Sequence, residues 1–275
     1  MRNWIKVKVK NTMSELRLGD TREIIKEYPD EFFDTVISDI PYEISTGGCA
    51  IKERKNEYGG ILNHRYYTDD RLKNRWLKQE DINDNATLIR KGKFFENVPK
   101  FSEWLPDIYR VLKPQTHCYL MINARNLKEL QIEAEKVGFK FCNLLVWVKN
   151  NQTPHKFYMS RTEFILMLRK GKERYINYLG TSNVFNYANI IGNKYHSTEK
   201  PVELMEDLIV NSTNSGDKVF DPFMGSGTTC VAAKQCNREY YGIEIDEKYY
   251  NIAKKRVEGE FVSREKQNKR QLRLW

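Results

Sequence analysis

Four consecutive residues, Asp39-Ile40-Pro41-Tyr42, combine a carboxylate, a backbone carbonyl and an aromatic ring directly after a β-branched stretch, Asp34 to Ser38. An exocyclic amino group on a nucleobase is a poor nucleophile because its lone pair is delocalised into the ring. Asp39 and the Ile40 carbonyl can accept its two N–H bonds and favour a pyramidal nitrogen, while Tyr42 can stack on the base. The same residues also fit a plain turn in which Asp39 is a capping residue and Tyr42 a core aromatic.

A second stretch that could form part of a functional site is the glycine-containing sequence KVFDPFMGSGTT, residues 218–229. It predicts a strand ending at Asp221, a tight turn at Gly225 and Gly227, and a helix beginning at Thr228. Without Cβ atoms, the two glycines let the backbone pass close to a ligand. Such a unit can hold a nucleotide, although the same turn also serves as a simple connection.

The type of nucleotide is narrowed by the residues around this turn. Glu244 lies in the next predicted strand, Tyr240 to Ile245, near the roughly twenty-residue offset at which an acid binds ribose hydroxyls. Cys230 stands where the third glycine of a dinucleotide motif belongs, and the lysine that a P-loop requires before Thr228 is missing. The pocket is therefore expected to hold a nucleoside without a pyrophosphate, for which S-adenosylmethionine is the candidate.

The other elements alternate between strand and helix patterns, which is typical of an α/β sheet whose ligands bind at the strand ends. The predicted strands are Glu15 to Asp20, Asp34 to Ser38, His117 to Ile122, Phe141 to Lys149, Glu163 to Arg169 and the two strands flanking the glycine turn. The predicted helices are Thr21 to Tyr28, Phe101 to Leu112, Asn126 to Val137, Pro201 to Thr213 and Thr228 to Cys236. His117, on an apolar strand, is interpreted as a hydrogen-bonded core residue rather than a base.

Composition limits the classes of protein and partner. The 275 residues contain five cysteines without a CxxC pair, which argues against a disulfide framework or a zinc site. The expected chemistry also needs no metal. No apolar run is long enough to span a membrane, and the first ten residues lack a secretory pattern, so we expect a cytoplasmic protein. The net charge of +9 favours a polyanionic partner, although a basic surface can also serve solubility.

Three motifs together resemble the amino-directed DNA methyltransferases: DIPY, HSTEKP at residues 196–201, and DPFMGSGTT followed by GIEIDEKYY. The resemblance spans most of the chain, and the catalytic motif precedes the cofactor motif, as in the β order of that family. It implies an α/β, Rossmann-like class I methyltransferase with a mostly parallel seven-stranded sheet, helices on both faces and a small target-recognition insertion. Ile40 replaces the proline of the common family tetrad but leaves the carbonyl acceptor intact.

The resemblance also implies roles for particular residues. Phe223 would line the S-adenosylmethionine pocket, Glu244 would hold the ribose, and Asp20 would lie near the adenine of the cofactor. The segment from His196 to Lys200 would contact the methionine end. The full expected cofactor-binding set is Asp20, Asp39, His196, Ser197, Thr198, Lys200, Asp221, Phe223, Gly225, Gly227, Thr228 and Glu244, with Asp39, Ile40, Pro41 and Tyr42 as the catalytic residues.

The domain organisation follows from changes of composition along the chain. The catalytic domain is predicted at 1–42, 99–169 and 196–258, with a basic tail at 259–275. Residues 43–98 interleave Arg, Lys, Tyr and Trp between glycines, which suits a mobile DNA-contacting insertion or a solvated loop. Residues 170–195 fall where the β order puts its target-recognition region, so both segments are expected to read bases.

The expected reaction is methyl transfer from S-adenosylmethionine to adenine N6 of a flipped-out base in double-stranded DNA, by direct in-line attack. None of the five cysteines follows a proline, which argues against a C5-cytosine enzyme. Cytosine N4 remains an alternative, as does methylation of RNA or a protein amide. Other classes are a nicotinamide oxidoreductase and a catalytically silent DNA-binding protein. A homodimer, a cognate restriction endonuclease and a phage context are possible partners or settings.

Overall fold

The computed structural model describes residues 14–42, 98–153, 158–190, 195 and 199–260. Its strands are β1 (Glu15–Leu18), β2 (Phe33–Asp39), β3 (Leu112–Ile122), β4 (Lys140–Thr153), β5 (Ser160–Lys170), β6 (Val184–Asn186), β7 (Lys218–Asp221) and β8 (Glu239–Glu244). Its helices are α1 (Thr21–Ile24), α2 (Phe101–Val111), α3 (Leu127–Val137), α4 (Val202–Ser212), α5 (Thr228–Gln235) and α6 (Glu247–Glu258), and a 3-10 turn at Ile25–Glu27 continues α1.

These strands form one eight-stranded sheet in the order β1-β8-β7-β2-β3-β5-β4-β6. The neighbours β1, β8, β7, β2 and β3 pair in parallel, whereas β5 pairs antiparallel to β3. The parallel register brings Asp39 at the end of β2, Asp221 at the end of β7 and Glu244 at the end of β8 to one edge of the sheet. The expected meeting of strand ends is therefore confirmed.

The core has two layers because side chains alternate between the faces of a strand. On β2, Ile37 packs in one buried cluster with Leu204 and Met205 of α4, while Val36 is also fully buried. The helices contact one another in two groups. In the first, α2 contacts both α1 and α3, and in the second, α5 contacts both α4 and α6. The predicted Rossmann-like architecture with helices on both faces is confirmed, but the sheet has eight strands where seven were expected.

The eighth strand is β6, whose three residues pair in parallel with Val146 to Val148 of β4. Sequence analysis missed it because three residues are too few to establish an alternating pattern. The predicted strands Phe141 to Lys149 and Glu163 to Arg169 lie within β4 and β5, which are neighbours as expected. The outermost strand on this side of the sheet is β6, and not a member of this pair.

His117 has the structural role that its apolar strand suggested. It is buried, with Nδ1 2.9 Å from the Ser212 hydroxyl and Nε2 3.0 Å from the Arg174 carbonyl. Burial lowers its pKa from the ordinary value, in spite of the hydrogen bond to the Arg174 carbonyl. The interpretation as a hydrogen-bonded core histidine is confirmed.

The segment 170–195 begins far from the edge that carries Asp39. Lys170 pairs in register with Thr116 near the start of β3, and the Asn177 side chain donates to the carbonyls of Val210 and Thr213 at the end of α4, at 2.8 and 2.9 Å. Its first part therefore lies at the opposite edge of the sheet, and β6 returns the chain toward the strand ends. The recognition role of this segment stays a prediction.

The chain divides into two compact units. The first contains Met1–Ile40, Phe101–Asn150 and Thr162–Trp275, and the second contains Pro41–Lys100 and Asn151–Arg161. The predicted insertion at 43–98, apart from Val98, and the tail beyond 260 lie outside the described residues. None of the helices in the described ranges combines the length and apolarity that crossing a membrane would need.

Candidate active site

A cavity opens at the edge where the parallel strands end. It brings together Asp39 from β2 and Phe223 from the loop after β7, two positions far apart in the chain. Its lining consists of Asp39, Glu199, Lys200, Met205, Asp221, Phe223, Met224, Gly225, Ser226, Thr228 and Thr229. The strand end that carries Asp39 and the glycine turn that follows β7 thus line the same cavity.

The glycine turn uses its two glycines in different ways. Gly225 lines the cavity and has a φ of +52°, a left-handed backbone conformation that favours glycine. A Cβ at this position would have no heavy atom within 4 Å, so the space next to it is open. Gly227 has a φ of +79°, and its Cβ would lie 2.7 Å from the Cβ of Ala253 on α6. Close approach to a ligand was expected of both, but at Gly227 the close approach is to helix α6.

Asp221 stabilises the start of this turn. The Ser38 hydroxyl donates to its Oδ1 at 2.6 Å and the backbone N–H of Phe223 donates to the same oxygen at 3.2 Å. The side chain is almost fully buried, and this burial raises the pKa of Asp221 to about 7, although hydrogen bonds from Ser38 and Thr229 act in the opposite direction. Asp221 therefore connects the two central strands β2 and β7 beneath the cavity.

Asp39 is paired with a lysine that the sequence assigned to the cofactor. Lys200 Nζ lies 2.5 Å from Asp39 Oδ2 and 3.3 Å from Glu163 Oε2, and Lys149 Nζ lies 3.0 Å from Glu163 Oε1. Both lysines are buried. Burial tends to raise the pKa of Glu163, but the charges of Lys200 and Lys149 bring it below its ordinary value.

Arg256 on α6 joins the glycine turn to the segment that precedes α4. Its Nη1 donates to the Ser226 carbonyl at 2.7 Å and to the Ser226 hydroxyl at 2.9 Å, and its Nη2 lies 3.0 Å from Glu199 Oε1. The guanidinium also lies over the ring of Tyr195, 4.8 Å from its centroid. Arg256 was not among the predicted site residues, because an arginine within a lysine- and arginine-rich stretch gives no local sign of its partners.

Phe223 is held by the aromatic side chain of a neighbouring helix. The Trp104 ring on α2 meets it edge to face with the centroids 5.2 Å apart, and Trp104 is fully buried. The indole N–H of Trp104 has no hydrogen-bond partner among the described residues. Burying this N–H group without a partner costs free energy. The contribution of Trp104 to the site is the aromatic surface that it presents to Phe223.

The lining chemistry fits S-adenosylmethionine. Phe223, Met205 and Met224 offer apolar surface for an adenine ring and a methionine chain, and Asp39 supplies a carboxylate that can compensate a sulfonium charge. The open space over Gly225 leaves room for the ligand. No cluster of His, Cys, Asp or Glu suited to a metal ion occurs in the part of the chain that the structure describes.

Several residues expected at the cofactor lie beside the cavity and do not line it. The carboxylate of Asp20 caps α1 and binds the Arg22 side chain at 2.6 Å. Glu244 accepts the backbone N–H groups of Gly225 and Asp246, each at 2.9 Å, and burial raises its pKa. It therefore supports the glycine turn. Gly227 and the buried Ile40 are also absent from the lining.

The remaining expected site residues lie in the second compact unit or outside the described residues. Pro41 and Tyr42 belong to the second compact unit. His196, Ser197 and Thr198 lie outside the described residues, although Glu199 and Lys200 of the same motif line the cavity. The roles given to these residues stay predictions.

Sequence and structure comparisons identify relatives along most of the chain. It is 29% identical over 262 residues to the Type II methyltransferase M2.DpnII of Streptococcus pneumoniae, covering 88% of each chain. It is 26% identical to the Type II methyltransferase M.HinfI of Haemophilus influenzae, covering 92% of this chain and 70% of that protein.

Solved structures give the same picture for the fold. The crystal structure of the M1.HpyAVI–SAM complex matches with a TM-score of 0.60 and 26% identity, covering 89% of this chain and 100% of the other. The cytosine-N4-specific PvuII DNA methyltransferase matches with a TM-score of 0.64 and 17% identity, covering 92% and 88%, which is evidence for the fold alone.

The profile of the DNA methylase family, named for N6 and N4 methyltransferases, matches residues 33–191 and 179–255, which is more than half of the chain. The chain therefore belongs to the DNA methylase family and is an S-adenosylmethionine-dependent DNA methyltransferase.

Proposed function

We propose that this methyltransferase acts on adenine N6 of a base flipped out of double-stranded DNA, with Asp39 and the Ile40 carbonyl as acceptors for the amino group. The observation that carries the proposal is the cavity shared by Asp39 and Phe223. One wall carries a carboxylate at the end of β2, and another carries the glycine turn suited to the cofactor. An amine held by Asp39 would then face the place where the cofactor fits.

The protein groups would act on the amine in two ways. Asp39 and the Ile40 carbonyl accept its N–H bonds, which localises the nitrogen lone pair and directs it into the cavity. S-adenosylmethionine supplies the electrophilic methyl group when bound. As the new C–N bond forms, the bond from the methyl carbon to the sulfonium sulfur breaks and leaves neutral S-adenosylhomocysteine. The nitrogen gains the positive charge, and Asp39 stabilises that charge and can accept the proton that must leave. Tyr42 would stack on the flipped base.

Adenine is favoured over cytosine by the presence of Asp39, rather than serine, at the first position of the tetrad. Cytosine N4 offers the same planar amino group, so it is the second candidate, and the PvuII enzyme with this fold is cytosine-N4-specific. Digestion of the methylated DNA to nucleosides separates the two outcomes, because N6-methyladenine and N4-methylcytosine are different products.

The partners follow from the same proposal. Double-stranded DNA is the substrate, and the net charge of +9 supports binding to phosphates. Residues 43–98 and 170–195 are proposed to contribute to target recognition, and the cytoplasm is the proposed location. Because the relatives are Type II methyltransferases, a cognate restriction endonuclease is a proposed functional partner, and a homodimer is a proposed assembly.

The test is methylation by the purified full chain with tritium-labelled S-adenosylmethionine and duplex DNA, RNA or protein as acceptor. Label in adenine of duplex DNA is expected. The variant Asp39→Asn should lose methyl transfer while its DNA affinity stays within about threefold, since it removes a carboxylate but little volume. Asp30→Asn, at an exposed ion pair with Arg110, is the matched control and should remain active. Label only in RNA or protein, or full activity of Asp39→Asn, would refute the proposal.

A further inference from the structure

Four charged side chains of alternating sign extend from the sheet to Asp39. They are Lys149 on β4, Glu163 on β5, Lys200 before α4 and Asp39 at the end of β2. Successive charged atoms lie 3.0, 3.3 and 2.5 Å apart, and the formal charges cancel. The lysines are buried, with 7% and 6% of Lys149 and Lys200 exposed.

Glu163 is the member of this row that has contact with both lysines. Its Oε1 faces Lys149 and its Oε2 faces Lys200, so one carboxylate compensates two buried ammonium groups. Lys200 in turn divides its charge between Glu163 and Asp39 Oδ2. A buried ammonium with a single carboxylate partner would interact more strongly with that partner, because the low local dielectric strengthens each charge pair.

This sharing matters for an aspartate that must accept an N–H bond. Without Glu163, more of the charge of Lys200 would act on Asp39 and would compete with the amine for the carboxylate. Lys200 would also lose the contact that holds its ammonium between β2 and β5, so the orientation of Asp39 Oδ2 would be less defined. Errors of about 1 Å at a reacting centre cost up to about 100-fold in rate.

We infer that Glu163, supported by Lys149, is a positioning residue for methyl transfer that acts through Lys200 on Asp39. This inference rests on the proposed function, in which Asp39 accepts the amino group. It assigns Lys200 to the catalytic aspartate, whereas the sequence motif assigned it to the cofactor. Nothing in the sequence indicated Glu163 or Lys149, which lie on separate strands of ordinary apolar pattern.

The experiment compares Glu163→Gln with wild type by single-turnover methyl transfer on duplex DNA, and by separate titrations of S-adenosylhomocysteine and DNA. The methyl-transfer rate should fall by about 10-fold or more, while the dissociation constants for S-adenosylhomocysteine and for DNA stay within about threefold. Glu163→Asp keeps the charge and should recover part of the rate. Glu133→Gln makes the same change in a solvent-exposed ion pair with Lys136 on α3 and should behave as wild type.

Glu163→Gln could unfold because it removes a carboxylate that compensates the buried Lys149, so a charge-balanced variant is included. Lys149→Met with Glu163→Gln removes one buried lysine together with the shared carboxylate, and it should fold and show the same loss of rate. A variant that folds and transfers methyl groups at the wild-type rate overturns the inference alone. The same holds if the dissociation constant for S-adenosylhomocysteine rises and the rate is unchanged, because Lys200 would then serve the cofactor. Failure of the wild type to methylate adenine overturns the proposed function and this inference with it.

Discussion

Arg256 and Glu199 form an enclosed ion pair in which Nη2 and Oε1 are 3.0 Å apart and the side chains are 6% and 0% exposed. The pair connects helix α6 to the segment before α4, and Arg256 also binds the Ser226 carbonyl and hydroxyl. Glu199 and Ser226 both line the cavity. The ion pair therefore holds two walls of the cofactor site at a fixed separation.

Replacing Arg256 by lysine should weaken cofactor binding. Lysine keeps the charge but lacks the planar fork that reaches Ser226 and Glu199 together. We expect the dissociation constant for S-adenosylhomocysteine, measured by calorimetry, to rise by about 10-fold, which corresponds to roughly 1.4 kcal/mol. Lys136→Arg, at a solvent-exposed ion pair with Glu133, is the control for a lysine–arginine exchange and should leave affinity unchanged.

Glu199→Gln should lower the free energy of unfolding by about 3–5 kcal/mol, since it removes a carboxylate that compensates the buried Arg256. The double variant Glu199→Gln with Arg256→Gln should be destabilised by less than the sum of the single variants, because both charges are then gone. Urea denaturation of the four proteins gives the coupling directly. Additive effects would show that the two residues do not act as a pair.

Asp221 should make the stability of the protein depend on pH. Its ordinary pKa is 3.8, and burial raises the value in the folded chain to about 7. The folded state therefore retains a proton that the unfolded chain releases, and the stabilisation by the neutral acid, complete below pH 3.8, is lost as the pH rises toward 7.

The measurement for Asp221 is the difference in free energy of unfolding between wild type and Asp221→Asn. Asparagine does not titrate, so this difference isolates Asp221 from the other ionisable groups. Wild type should lose stability relative to the variant between about pH 4 and pH 7, and the difference should be constant above that range. A difference that is independent of pH would mean that the pKa of Asp221 is the same in the folded and the unfolded chain.

Much of the site could be predicted from short stretches of sequence because strand ends and glycine turns are local features. Asp39, Phe223 and Gly225 each follow an apolar strand, and parallel strands bring such ends to one edge. Arg256 and Glu163 could not be predicted in this way. Their partners come from other elements, and an arginine on a basic helix or a glutamate on a strand gives no local sign of a distant counter-ion.

Gly242 illustrates the same limit within the sheet. A Cβ at this position of β8 would lie 2.9 Å from the sulfur of Cys230 and would also collide with Met224. Glycine is required there by side chains of the adjacent turn and helix α5. An alternating strand pattern records which face a residue occupies but not how close the layer above it lies, so sequence analysis passed over Gly242.

The two glycines of the turn should respond differently to alanine. Gly227→Ala forces alanine into a left-handed backbone conformation and adds a Cβ 2.7 Å from the Cβ of Ala253. Strain and overpacking together should lower the free energy of unfolding by about 2–5 kcal/mol. Gly225→Ala adds only the strain, about 1–2 kcal/mol, since nothing lies within 4 Å of its Cβ. Urea denaturation of both variants measures the contrast, and equal losses would contradict the packing role of Gly227.

Binding to DNA should weaken steeply with salt, whereas binding of S-adenosylhomocysteine should change little. Each phosphate that a lysine or arginine neutralises releases counter-ions, so the logarithm of the DNA association constant should fall with the logarithm of the salt concentration, by about 0.9 per phosphate contact. The cofactor analogue has no phosphate and serves as the internal control. The net charge of +9 is large enough for several such contacts.

Fluorescence anisotropy of a labelled duplex over a range of potassium chloride concentrations gives the slope. A flat dependence would mean that the basic surface is not where the DNA backbone lies, and that affinity comes from the flipped base and its pocket instead.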